Sequence, residues 1–248
     1  MHVGIIGCGQ LARMMALNGW NMGLEFSFLA SEGEVIQPVQ GLGRVAHYNP
    51  NASAEQVFIA MGEPDVITVE RESVDIDLLH RLNRVCNVYP NPEAVRSCGD
   101  RACEKALLTR LKLPTAPHRI AHSALQVADA ASHLGLPVIA KATTSGYDGK
   151  SQWHLNNDDQ VRAFCFENQA GDWLVESKIQ FDREVSFLAA RSANGDVALY
   201  PPTENHHEDG VLLTSVAPAA GLPADLLADG YDYLRRLLEA MDYVGMLA

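Results

Sequence analysis

Positive charge is scarce in this 248-residue sequence: 19 Lys and Arg stand against 31 Asp and Glu, for a formal net charge of −12. Without surplus cations to neutralise phosphate backbones or anionic headgroups, general nucleic-acid and membrane-surface binding are excluded as its function. Any phosphate site must therefore be local. No apolar run approaches membrane-spanning length and no signal peptide precedes the first strand, so cytoplasm is the expected compartment. The five cysteines (Cys8, Cys86, Cys98, Cys103 and Cys165) are odd in number and lack Cys-x-x-Cys spacing. They read as reduced, mostly buried thiols. No Gly-Lys-Ser/Thr opens a helix, which excludes a Walker loop. Internal repeats and low-complexity segments are lacking too.

What is present centres on Val138 to Gln152. A short apolar run ends in Lys141, a small-residue loop with Gly146 and Gly149 follows, and Trp153-His154-Leu155 is extended again. Such a loop can bring backbone N–H groups close to an anion, because glycine has no Cβ to block the approach. Lys141, at the end of an apolar strand, is placed to neutralise a phosphate. The same residues also fit an ordinary Gly-Asp hairpin with a solvated lysine.

At the other end of the chain, Val3 to Ile6 is an apolar strand entering Gly7-Cys8-Gly9-Gln10-Leu11-Ala12, a Gly-x-Gly-x-x-Ala turn that opens a helix. Strands at Leu24 to Leu29 and Asp65 to Val69 and a helix at Asp75 to Leu82 complete an alternation that predicts a parallel α/β sheet. The turn and helix N-terminus form an expected anion site. A dinucleotide is disfavoured, because the second strand ends Phe28-Leu29-Ala30-Ser31 without an acidic residue for a ribose, and Glu32 lies past its end. Glu70 stands where a buried strand reaches the carboxyl edge of the sheet; the alternative is a surface carboxylate paired with Arg71 or with solvent.

Pro90-Asn91-Pro92 suggests a domain boundary. Helices are expected from Asp100, as N-cap, to the Leu113-Pro114 stop; from Ser123 to Leu134, closed by Gly135; at Asp158 to Phe166; and at Pro223 to Met241. Further strands are read at Trp173 to Glu176, Arg183 to Arg191, Val197 to Tyr200, Val211 to Val216 and Tyr243 to Leu247. Thr203 to Asp209 reads as a polar loop. Its adjacent His206 and His207, among three carboxylates, suit separate roles better than a shared metal ion, since neighbours on an extended chain point opposite ways.

Together these segments resemble the ATP-grasp superfamily, and within it the N5-carboxyaminoimidazole ribonucleotide synthetases of purine biosynthesis. The resemblance covers essentially the whole chain. It rests on Gly7 to Met14, Asp100-Arg101, Leu113-Pro114-Thr115-Ala116-Pro117, Gly146-Tyr147-Asp148-Gly149-Lys150, Arg183-Glu184-Val185-Ser186 and Tyr200 to Ser215. It implies an α/β chain with a Rossmann-like pre-ATP-grasp, acceptor-binding domain over 1–99. An ATP-grasp N-terminal part with a mobile glycine loop would follow over 100–180, and an incomplete C-terminal part over 181–248.

By the same resemblance, Arg101 and Lys141 would meet ATP phosphates under a lid formed by Gly146, Tyr147, Asp148, Gly149, Lys150, Ser151 and Gln152. Glu176, Ser177, Lys178 and Ile179 would hold adenine, Glu184 the ribose hydroxyls, and His207 would sit near the phosphates. Asp148 would be the catalytic residue toward the acceptor amine, while Gln10, Leu11 and Glu70 would hold the acceptor. The implied reaction is a ligase's: ATP phosphorylates bicarbonate, and the carboxyphosphate carboxylates the amine of 5-aminoimidazole ribonucleotide. The partners implied are these small molecules, with no nucleic acid and no membrane, and a homodimer is compatible.

Two departures are visible: Ala142-Thr143 replace a usual basic pair, and Ser151 a usual glycine. The family's Mg²⁺-binding acidic residues, including an Asn-Glu pair, are expected beyond Ala248, so no metal ligand is assigned here and the chain reads as a fragment. A formate-dependent glycinamide ribonucleotide transformylase-like or biotin-carboxylase-like ligase, and a non-catalytic nucleotide-binding protein, remain the alternatives.

Overall fold

The structure, a computed structural model, describes residues 1–144, 151–168, 170–208 and 210–248. The chain forms two compact units, one of residues 1–96 with 241–245, the other of 97–240 with 246–248.

The first unit is built on four parallel strands: His2–Ile6 (β1), Glu25–Ala30 (β2), Arg44–His47 (β3) and Val66–Val69 (β4), in the order β3-β2-β1-β4. Gln10–Trp20 (α1), Ala54–Met61 (α2) and Ile76–Leu82 (α3) are its helices. Successive residues of a strand face opposite sides of the sheet, so a sheet covered on both faces needs continuous apolar runs. Ile5 and Phe28 accordingly pack with Ala12, Ala16 and Val39, while Ile6, Leu29 and Ile67 pack with Met61, Leu79 and Leu82. Capping explains two of the helix starts: the Ser53 hydroxyl and Gln56 side chain form a reciprocal capping box on α2, and Asp75 accepts from Leu78 N–H on α3. Strand β3 and helix α2 were not among the elements expected from the sequence.

Pro92–Gly99 (α4) follows the expected boundary, with proline in its first turn, where no N–H is needed. In the second unit Arg101–Arg110 (α5) is capped by Asp100, which accepts from Ala102 and Cys103 N–H, and Ser123 likewise caps Ala124–Leu134 (α6). A four-stranded antiparallel sheet joins His118–Ala121 (β5), Val138–Ala142 (β6), Gln152–Leu155 (β7) and Trp173–Ser177 (β8) in the order β5-β8-β6-β7. With Asp158–Glu167 (α7), helix α6 covers its apolar face. There Phe164 sits edge-on to both Trp153 and Trp173, at centroid distances of 5.2 and 5.5 Å.

Two expectations fail in the C-terminal part of this unit. The stretch Arg183 to Arg191 is not one strand but two, Glu184–Ser186 (β9) and Ala189–Arg191 (β10), in different sheets. The chain changes sheet at Phe187, whose ring packs against Tyr231 (centroids 5.3 Å apart) in the helix Ala224–Ala240 (α8). Gly230 makes room for it, because a Cβ there would fall on the Phe187 ring. Strand β10 pairs with Val197–Leu199 (β11), as expected, and lies beside Gly245–Leu247 (β14).

The expected loop from Thr203 is instead a strand, Thr203–Glu208 (β12), between β9 and Val211–Val216 (β13). All six of its residues are polar, so no apolar alternation announced it. Among the described residues no helix is long and apolar enough to cross a membrane.

Candidate functional site

The turn after β1 should have been an open anion site. It is not. Glu70, just past β4, accepts from Gly9 N–H (2.7 Å) and Leu11 N–H (3.2 Å). Glu34 accepts from Cys8 N–H (2.9 Å) and Ser31 N–H (2.8 Å), and Arg71 lies 3.3 Å from it. Carboxylates of the protein itself thus take the donors that a phosphate would use. Glycine is required here by close approach: a Cβ on Gly7 would stand 2.5 Å from a Glu70 oxygen, and one on Gly9 would strike the same carboxylate. Glu70 therefore does meet Leu11, one of the two neighbours assigned to it, but as the cap of the helix that Gln10 and Leu11 open. Arg71 pairs with Glu34 and not with Glu70. Glu34 went unnoticed in the sequence because it belongs to no periodic element and reaches the turn only through tertiary folding.

Those carboxylates leave a mark on Cys8. Its thiol is pushed up to about 12, first by burial and then by Glu34 and Glu70, partly offset by Arg71. Of the five cysteines only Cys8 is buried, while Cys98 is exposed and the others are intermediate, which corrects the expectation of mostly buried thiols. The thiolate is the nucleophile, so iodoacetamide at pH 8 is expected to label Cys98 and spare Cys8 in the folded protein, read by peptide mass spectrometry. Comparable labelling of both would contradict a carboxylate-filled turn.

In the second unit the assigned phosphate residues do converge. Lys141, the fourth residue of β6, faces Glu176, the fourth of β8, and its ammonium binds Glu176 Oε1. Lys105, on α5, reaches Glu176 Oε2 at 3.1 Å and donates to Thr115 Oγ1 at 2.6 Å. Burial raises the Glu176 pKa, but contacts with Lys141 and then Lys105 outweigh it, so the carboxyl lies below its ordinary value.

Arg101 donates from its guanidinium to Ala142 O (2.6 Å) and from its backbone to Thr143 O (2.8 Å), which fixes the start of α5 against the end of β6. Gln152 lies opposite Lys141 in the β6–β7 ladder, and Ser151 O accepts from Ala142 N–H. Two lysines thus share one buried carboxylate, and Arg101 is held at the end of the strand that carries Lys141, in a strongly acidic chain. Lys105 and Thr115 were missed, although Lys105 follows Arg101 by four residues on one helix, a spacing that places both on one face.

At the end of β8 Ser177 N–H donates to Pro117 O, and just past it Lys178 N–H donates to Pro137 O, while Ile179 and Phe181 are exposed apolar side chains. A further group lies on the β9–β12–β13 sheet, where His207 Nδ1 is 3.1 Å from a Glu184 oxygen. Both line a cleft of about 350 Å³ together with Phe181, Asn205 and Thr214. The ladder slips between His206 and His207, whose partners are Thr214 and Leu212, so Leu213 is the extra residue of a bulge. Asn205 ties the three strands together, donating to Ser186 Oγ and accepting from Ser215 Oγ, both at 2.6 Å.

The assigned lid residues Gly146, Tyr147, Asp148, Gly149 and Lys150 lie outside the described residues. Among the described residues no group of three His, Cys, Asp or Glu side chains is arranged to hold a metal ion.

Comparison with known proteins matches two stretches of the chain. Residues 1–98 match the ribonucleotide synthetase preATP-grasp domain and residues 106–248 the ATP-grasp domain. An N5-carboxyaminoimidazole ribonucleotide synthase of Pseudomonas aeruginosa is 36% identical over 248 residues, covering all of this chain and 67% of the relative. The crystal structure of N5-carboxyaminoimidazole ribonucleotide synthetase from Thermus thermophilus superposes with a TM-score of 0.84 at 31% identity, covering 98% of this chain and 65% of that one. An ADP complex of such a synthetase gives 0.87 at 27% identity, over 99% of this chain and 64% of that one. The chain therefore spans about two thirds of the length of the relatives it matches.

Proposed function

Because the chain belongs to the N5-carboxyaminoimidazole ribonucleotide synthase family of ATP-grasp ligases, we propose that its second unit binds ATP, for the bicarbonate-dependent carboxylation of 5-aminoimidazole ribonucleotide. One observation carries this reading: Arg101, Lys105 and Lys141 are gathered at the end of β6, although the whole chain carries −12. Phosphoryl transfer asks a protein mainly for positioning and charge neutralisation, and a local cation cluster supplies both. Lys141 would contact the phosphates, with Arg101 beside it and residues 146–152 closing over them. The exposed Ile179 and Phe181 offer apolar surface to a flat base next to Glu176, Ser177 and Lys178. Glu184 would accept from the ribose hydroxyls, and His207, already at its carboxylate, would lie toward the phosphates.

Carboxyphosphate hydrolyses readily, so closure that excludes water serves the second step, in which the acceptor amine attacks the carboxyl carbon and phosphate leaves. Asp148 would take the proton that the amine loses. In the first unit Gln10, Leu11 and Glu70 would hold the ribonucleotide. Since the donors of that turn are filled, recognition there would run from ligand hydroxyl or amine donors onto carboxylate oxygens. We retain the division into 1–99, 100–180 and 181–248 as the functional parts. Mg²⁺ bound with the nucleotide would share in neutralising its phosphate charge.

The test is nucleotide binding by titration calorimetry. Lys141→Met removes one charge-assisted contact, worth about 1.5–3 kcal/mol, so ATP affinity is expected to fall roughly ten- to a hundred-fold. An unchanged affinity would remove Lys141 from the phosphate site.

A further inference from the structure

We propose that Lys105 is a positioning residue for phosphate binding: it shares Glu176 with Lys141 and so leaves the charge of Lys141 available to a polyphosphate. The inference rests on the nucleotide reading of the site and gives Lys105 a role other than contact with the phosphates.

The geometry is that of one carboxylate between two ammonium groups. Glu176 has its side chain 10% exposed and gives Oε1 to Lys141 and Oε2 to Lys105. Lys105 is the more enclosed cation, 14% exposed against 26% for Lys141, and spends a second donor on Thr115. Lys105 therefore faces inward, and Lys141 keeps the side open to a ligand.

Two ammonium groups against one carboxylate leave one positive charge in surplus. Were Lys105 absent, Glu176 and Lys141 would form a neutral pair, and an incoming phosphate would have to compete with a part-buried carboxylate for the same ammonium. With Lys105 in place, the charge of Glu176 is answered from behind. Its second oxygen is also anchored, which holds Oε1, and through it the Lys141 ammonium, at the end of β6.

This role predicts an effect on phosphate and none on the base, so the measurement is the ratio of ATP to adenosine affinity. Wild type, Lys141→Met, Lys105→Met and Lys105→Met/Glu176→Gln would be compared by calorimetry, with adenosine measured by competition. Lys105→Met is expected to lower the ratio about tenfold, the size of one charge-assisted contact. The double variant restores the surplus charge and is expected to recover most of the ratio. A packing role for Lys105 would instead move ATP and adenosine together, and the second substitution would add damage.

If Lys105→Met does not fold, Lys105→Gln makes the same charge change while keeping a donor for Thr115, and is read the same way. A ratio lowered by Lys141→Met but untouched by Lys105→Met overturns the inference and leaves the nucleotide site standing. If wild type binds no ATP, or its ratio ignores Lys141→Met, the nucleotide reading falls and this inference falls with it.

Discussion

Asp148→Asn is expected to suppress carboxylated product by roughly 10²- to 10⁴-fold, the range of a single general base, while leaving ATP affinity nearly intact. The substitution keeps the size of the side chain and much of its hydrogen bonding, but removes the basic oxygen and the charge. Bicarbonate-dependent ATP cleavage without acceptor should persist, because that step does not involve the amine. The assay follows ADP and carboxylated ribonucleotide separately in a turnover-competent form of the enzyme. Uncoupling of the two products is the signature. If Asp148 only shapes a turn, Asn substitutes well, since both residues support turns by bonding to their own backbone. Near-normal product would then take Asp148 off the catalytic residues.

The second large effect concerns stability, and it is asymmetric. Removing Glu176 leaves Lys105 and Lys141 facing one another without the carboxylate between them. Breaking a fully buried pair costs about 3–5 kcal/mol, but both lysines here can turn partly to solvent, so about 2–3 kcal/mol is expected for Glu176→Ala. Lys141→Met should cost under about 1 kcal/mol, because Lys105 still answers the carboxylate. Urea unfolding of both variants decides it, and equal losses would mean that the two lysines do not share one carboxylate.

The pH dependence has a definite sign. The Glu176 carboxyl is held below its ordinary value of 4.5, so its contribution is complete above that pH and is lost as pH falls through the lower, folded value. The gap between wild type and Glu176→Ala should therefore narrow on acidification below about 4.5.

Much of the fold was legible from local signals. The apolar runs of β1, β2 and β4 show a sheet covered on both faces, and Asp75, Asp100 and Ser123 mark helix starts by residue type alone. Where local pattern and local environment agree, sequence suffices. Strand β12 escaped because all its residues are polar and its partners are supplied by β9 and β13. The division at Phe187 escaped because what bends the chain there is a ring contact with Tyr231, 44 positions away.

For the site, the sequence by itself determined the local chemistry: a lysine at the end of an apolar strand before a glycine loop, an arginine after an N-cap, and an acidic chain in which any phosphate site had to be local. Only the tertiary structure decided which charges meet. It set Glu176 between Lys141 and Lys105, and it turned Glu34 and Glu70 into the donors' partners at the first turn, closing an anion site that the Gly-x-Gly pattern promised. The reason is physical. Backbone preferences act over a few residues, whereas a charge interacts with whatever the fold brings within a few ångströms, and that set is fixed by packing, not by spacing along the chain.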